Sequence, residues 1–123
     1  MRKTIFIMLL SLGFISMGFS QSQDILSSIG KKDLVKLESL MKDKLDFCIN
    51  DGQRMVSKDF AIKTTLAFLQ EIEVKSCRKI HNGNSKEKGT YYEVGKLKSG
   101  KGNYRVFIYY EDDQIVEFRI DNY

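Results

Sequence analysis

Side chains able to do chemistry are few and scattered in this 123-residue chain. His81 is its one histidine, and Cys48 and Cys77 are its two cysteines. Two thiols and one imidazole fall short of the four ligands a structural zinc site takes, so no metal and no cofactor is expected. His81 sits in His81-Asn82-Gly83, at a strand end beside a turn, the place of a surface or loop-anchoring imidazole. No Ser-His-Asp or Cys-His arrangement is suggested by position along the chain. Ser99-Gly100-Lys101-Gly102 has the composition of a phosphate loop, but it joins two strands rather than a strand to a helix. The acids of the C-terminal half fall in a turn (Asp112, Asp113) or on positions expected to point outward (Glu93, Glu117). No catalytic residue is assigned.

The elements that must position any site follow from periodicity. Ile25, Leu26 and Ile29 share a helical face that Gly30 can end with a positive φ. Asp33 is a candidate N-cap for a second helix carrying Leu34, Leu37 and Met41. Leu45 to Ile49 alternates as a half-buried strand, Asn50-Asp51-Gly52 signals a hairpin, and Arg54-Met55-Val56 returns. Ser57 caps a helix of Lys58 to Gln70 with two apolar stripes, one of Ile62, Leu66 and Leu69, the other of Phe60, Ala61, Ala67 and Phe68. Such a helix is expected to be packed on more than one side. Glu73 to His81, Tyr91 to Leu97, Tyr104 to Glu111 and Gln114 to Ile120 are rich in Val, Ile, Phe and Tyr and read as strands. Short connectors make them an antiparallel meander. The order is α-α-β-β-α-β-β-β-β.

Register decides which residues face the helices. A two-residue Asp112-Asp113 turn pairs Glu111 with Gln114. One face then carries Tyr92, Val94, Arg105, Phe107 and Tyr109 with Val116, Phe118 and Ile120. The other carries Tyr91, Glu93, Leu97, Tyr104, Val106, Ile108 and Tyr110 with Ile115, Glu117 and Arg119. The first set is the more apolar and is assigned to the helix-covered core, although a one-residue slip would exchange the two. A ligand pocket would then be lined by Tyr92, Arg105 and Tyr109. Arg105 favours an anionic or carbonyl-bearing ligand, because a guanidinium withdrawn from water needs an acceptor. Tyr91, Tyr104 and Tyr110 would form an aromatic outer face for docking or self-association, with a homodimer as one outcome.

The chain opens with Arg2 and Lys3, an apolar run from Ile5 to Ile15, then Gly18-Phe19-Ser20 and the polar Gln21-Ser22-Gln23-Asp24. That is the plan of a secretory signal peptide cleaved after Ser20. The expected layout is a signal at 1–20 and one domain at 21–123. The expected location is the periplasm or the exterior, with membrane contact only through the signal before cleavage. An uncleaved anchor is the alternative, but Ser11, Gly13, Ser16 and Gly18 dilute the apolar run. Losing Arg2 and Lys3 lowers the formal charge from +4 to +2. The lysine clusters fall at turns, so no nucleic-acid partner is expected. The two cysteines fall on non-consecutive strands and are expected to be free thiols.

The element order resembles the nuclear transport factor 2-like (cystatin-like) cone, an α+β fold in which a curved antiparallel sheet wraps helices. Closer similarity lies in Val56-Ser57-Lys58, in His81-Asn82-Gly83 and in Tyr92-Glu93-Val94-Gly95-Lys96-Leu97. It continues in Gly102-Asn103-Tyr104-Arg105-Val106 and in the closing Phe118-Arg119-Ile120-Asp121. Together these resemble a family of short exported Bacteroidota proteins of unknown function, over residues 24–121. The resemblance implies the cone fold and an extracytoplasmic location, and no activity. Three functions stay open. One is a non-catalytic domain binding a small molecule or peptide in the cell envelope. The second is an interaction or structural module using the outer sheet face. The third is a small isomerase- or hydratase-like enzyme.

Overall fold

The computed structural model describes residues 25–84 and 87–123. The expected signal peptide therefore lies outside the described residues. The elements are α1 (residues 25–30), α2 (Val35–Leu40), β1 (Met41–Ile49), β2 (Asp51–Ser57), α3 (Lys58–Glu71), β3 (Val74–Asn84), β4 (Thr90–Ser99), β5 (Gly102–Glu111) and β6 (Gln114–Asn122). The strands form one six-stranded sheet in the order β2-β1-β6-β5-β4-β3. All neighbours are antiparallel except β1 and β6, which run parallel and join the N-terminal hairpin to the meander. Among the described residues no helix is long and apolar enough to cross a membrane.

Local chemistry explains most of the boundaries. Ser57 Oγ accepts from the Phe60 N–H at 3.2 Å and caps α3 as its residue type predicts. Asp33 accepts from the Val35 N–H at 3.3 Å at the start of α2. That helix ends a turn early, because Met41 leaves it to begin β1, where it pairs with Ile115 and stays buried. Gly30 does not supply the positive φ after α1; Lys32 does. Glycine is needed at position 30 for space, since a Cβ there would stand 2.5 Å from the Cys77 backbone nitrogen. On α3 the fully buried row is Ala61, Thr65 and Leu69, with Phe60 and Ala67 exposed, so the helix packs on one side rather than on two.

On β4 and β5 the faces are the reverse of the expected ones, while Phe118 and Ile120 of β6 are buried as expected, and the reason is definite. The Asp112-Asp113 turn is as predicted, both residues having positive φ, and Glu111 pairs with Gln114. One step later the register shifts: Tyr110 pairs with Ile115, but Tyr109 pairs with Glu117. This β-bulge adds one residue to β6. Ile115 then shares a face with Phe118 and Ile120, and all three meet Val106, Ile108 and Tyr110 under the helices. An unbroken register had forced a choice between those two apolar sets. The bulge lets both be buried and turns Arg105, Phe107 and Tyr109 outward.

Candidate binding face on the sheet

The three tyrosines expected outside are inside. Tyr110 is 1% exposed and its ring stacks on Tyr91, with centroids 4.3 Å apart. Tyr104 is half-buried against Phe68 of α3, edge to face at 5.2 Å. The docking face assigned to Tyr91, Tyr104 and Tyr110 is thus corrected: they pack with the core. Glu93 is corrected with them. It alternates with Tyr92 on β4, so the exchange of faces carries it in, and its side chain is only 1% exposed. Tyr110 donates to Glu93 Oε1 at 2.9 Å, and Lys79 Nζ lies 3.9 Å from Oε2. Burial, with the Glu93 charge and hydrogen bond behind it, pushes the Tyr110 hydroxyl well above its ordinary range. Burial also raises Tyr91, with Glu93 and Asp113 adding to the rise. Glu93 and Tyr110, each 1% exposed, are shut from solvent together.

Tyr92, Arg105 and Tyr109 come together as expected, but on the open face. Cross-strand pairing sets Tyr92 beside Tyr109, Lys96 beside Arg105, Tyr109 beside Glu117, Phe107 beside Arg119 and Arg105 beside Asp121. A depression of about 410 Å³ runs between β5 and β6, lined by Arg105, Phe107 and Tyr109 on one side and Glu117, Arg119 and Asp121 on the other. Phe107 lies nearly parallel to Tyr109 (13°, 6.5 Å) and to Tyr92 (26°, 5.9 Å). Tyr92 flanks the depression and holds the band in place, its hydroxyl 3.0 Å from His81 Nε2.

The charges beside these rings are ordered. Arg119 sits between two carboxylates, 3.8 Å from Glu117 and 3.7 Å from Asp121, and also donates to Gln53 at 3.3 Å. Partial burial lifts the Glu117 carboxyl above its ordinary value, the Asp46 charge adds to this, and Arg119 opposes it. Arg105 is exposed and lies over the Tyr123 ring at 5.2 Å, where Lys96 also approaches at 5.1 Å. Both cysteines are free and buried. Burial pushes Cys77 up to about 12 and raises Cys48, so neither is a thiolate at neutral pH. Among the described residues no cluster of acids, His and Cys could hold a metal.

Residues 22–122 match the family described as "Domain of unknown function (DUF4783)". The chain belongs to this family. A DUF4783 family protein from Bacteroides uniformis superposes with a TM-score of 0.69 at 24% identity, covering 80% of this chain and 94% of that one. Another from Bacteroides ovatus gives 0.70 at 22% identity, covering 80% and 92%. An NTF2-like protein from Cytophaga hutchinsonii gives 0.55 at 14% identity, with all of both chains covered. No curated protein matches at a significant level. This DUF4783 domain therefore has the nuclear transport factor 2-like fold expected of it. The sequence missed the outer depression because its β6 wall of Glu117, Arg119 and Asp121 reaches the Arg105 side only through the bulge. One signal pointed to it. A single extra residue at Val116 collects Val106, Ile108, Tyr110, Ile115, Phe118 and Ile120 on one face and leaves Glu117 and Arg119 on the other.

Proposed function

We propose that this DUF4783 domain is exported and works in the cell envelope as a non-catalytic binding domain, taking a small molecule or peptide on the outer face of its sheet. One contrast carries the reading. Under β4 to β6 the helix-covered side is packed by Tyr110, Phe118, Leu97 and their neighbours, and a depression on that side lies at the margin, between α3 and the β1-β2 hairpin, whereas the outer side has an aromatic and charged depression over β5 and β6. Aromatic side chains beside a few directed polar groups are the usual make-up of a ligand site. Arg105, the residue expected to meet an anionic or carbonyl group, lines that depression, with its guanidinium over the Tyr123 ring.

Two observations support export. The family match begins at residue 22, just beyond the proposed cleavage after Ser20. Ile25 and Leu26 are already core residues, so the folded domain starts within a few residues of the new terminus. The enzyme reading gains an inward carboxylate in Glu93, but that group is shut from solvent and held by Tyr110, out of reach of a substrate.

Native mass spectrometry of the protein purified from its own envelope tests the reading. The expected spectrum shows a chain beginning at Gln21 with a bound species, and an Arg105→Ala/Phe107→Ala variant that has lost it. A chain still beginning at Met1, or a bound species retained by the double variant, contradicts the proposal. A dimer that the double variant dissolves would make a second copy the occupant.

A further inference from the structure

We propose that the occupant of the outer depression is a short neutral oligosaccharide, its ring faces lying on Phe107 and Tyr109 and its hydroxyls meeting Glu117, Arg119 and Asp121. This rests on the outer-face reading above and gives it a ligand class.

Charge comes first. The six lining residues carry two arginines and two carboxylates, a balance of zero. A polyanion such as a nucleic acid or an acidic lipid surface needs clustered unopposed cations. Here Arg119 is already flanked by Glu117 and Asp121, so the β6 wall reads minus, plus, minus along the strand. Such a wall offers acceptors and donors in alternation while attracting no net charge. Its side chains are about a quarter to a third exposed, held by one another rather than loose in water.

Shape comes second. Three alternate positions on β5 and three on β6 make a trough two pleat repeats long, roughly 13 Å. One wall is largely aromatic, with the Phe107 and Tyr109 rings within 13° of parallel and their centroids 6.5 Å apart beside Arg105. The opposite wall is polar. A pyranose chain has this division, with C–H faces that pack on aromatic rings and a rim of neutral hydroxyls that both donate and accept. The volume of about 410 Å³ lies within the range of small-ligand sites.

Two other occupants fit worse. An extended peptide binds a sheet by adding to an edge, where free backbone groups await it. The trough lies over β5 and β6, whose backbones are paired on both sides, while the edges are β2 and β3. A wholly apolar ligand would strip water from Glu117, Arg119 and Asp121 and return no hydrogen bonds.

The test is isothermal titration of the purified chain with cellotriose, maltotriose, mannotriose and chitotriose, and with an acidic and a basic pentapeptide. At least one trisaccharide should bind, with an affinity that changes less than about two-fold when salt is raised. Phe107→Ala and the near-isosteric Asp121→Asn should each weaken it by about ten-fold, with circular dichroism unchanged. If the peptides bind at a Phe107-dependent site and no trisaccharide does, the ligand class is wrong and the outer-face reading survives. If a trisaccharide binds and neither variant weakens it, both fail. Asp121→Asn keeps the test decisive should Phe107→Ala fold poorly, because that side chain is not part of the core.

Discussion

Tyr110 and Glu93 show how one side chain fixes the chemistry of another. A carboxylate 1% exposed is tolerable only with a donor, and the Tyr110 hydroxyl provides it at 2.9 Å. Tyr110→Phe keeps the ring and its stack on Tyr91 but leaves that oxygen without its donor. The expected cost is about 1–3 kcal/mol, read as a lower urea midpoint at unchanged slope. No loss of stability would mean that Lys79 satisfies Glu93 alone. Glu117 makes a prediction of opposite kind. Its folded pKa is raised, so between the ordinary value of 4.5 and the folded value the native state holds more protons than the unfolded chain. Stability contributed by this group is therefore present at low pH and falls as pH rises through that window. Glu117→Gln should flatten this segment of the stability–pH curve and raise stability at neutral pH. A curve unchanged by the substitution would show that Arg119 cancels the effects of burial and Asp46.

At the scale of elements, legibility depended on whether a signal was local. Turns and caps were local, so the Ser57 cap and the Asp112-Asp113 turn stood where residue type placed them, and the Ser99-to-Gly102 connector fell where expected but tighter, its end residues already paired. The bulge beside Val116 was not. It is defined by what β5 offers across the strand, and it put Arg105, Phe107 and Tyr109 on the same outer face as Glu117 and Arg119. Tyr92, Arg105 and Tyr109 were grouped correctly because their spacing was right, and were put on the wrong side because the side depends on register. The two stripes of α3 misled in a similar way. Phe60 meets Phe47 edge to face at 6.3 Å and carries Arg54 over its ring, and Phe68 meets Tyr104, so these rings lock the helix ends rather than cover a second layer. The docking of α1 was partly legible, since Ile25, Leu26 and Ile29 are buried as their spacing required. Its closeness to β3 was not. Gly30→Ala should destabilise the fold by at least ~1–3 kcal/mol, because the atoms in the way, Cys77 N and Ser76 C, are backbone and cannot rotate aside. Thermal unfolding checks this, and an unshifted midpoint would mean that α1 is free to lift from the sheet.

At the scale of the molecule, the fold was legible in the order of elements and the family in the short motifs, and the side of the sheet that carries Arg105, Phe107 and Tyr109 was not. A sheet wrapped on three short helices has little interior to spare, and here Tyr110, Phe118, Leu97, Leu69 and Ile108 fill it. Superfamily resemblance directs attention to the inside of the cone; this chain's own packing directs it to the outside, where rings and charges are ordered but open. The most direct test is an amide and side-chain chemical-shift map of isotope-labelled protein titrated with the trisaccharides named above. The largest shifts should fall at Tyr92, Arg105, Phe107, Tyr109, Arg119 and Asp121, with Tyr91, Glu93 and Tyr110 unmoved. Shifts centred on Tyr91, Glu93 and Tyr110 would place the ligand within the cone and contradict the outer-face reading.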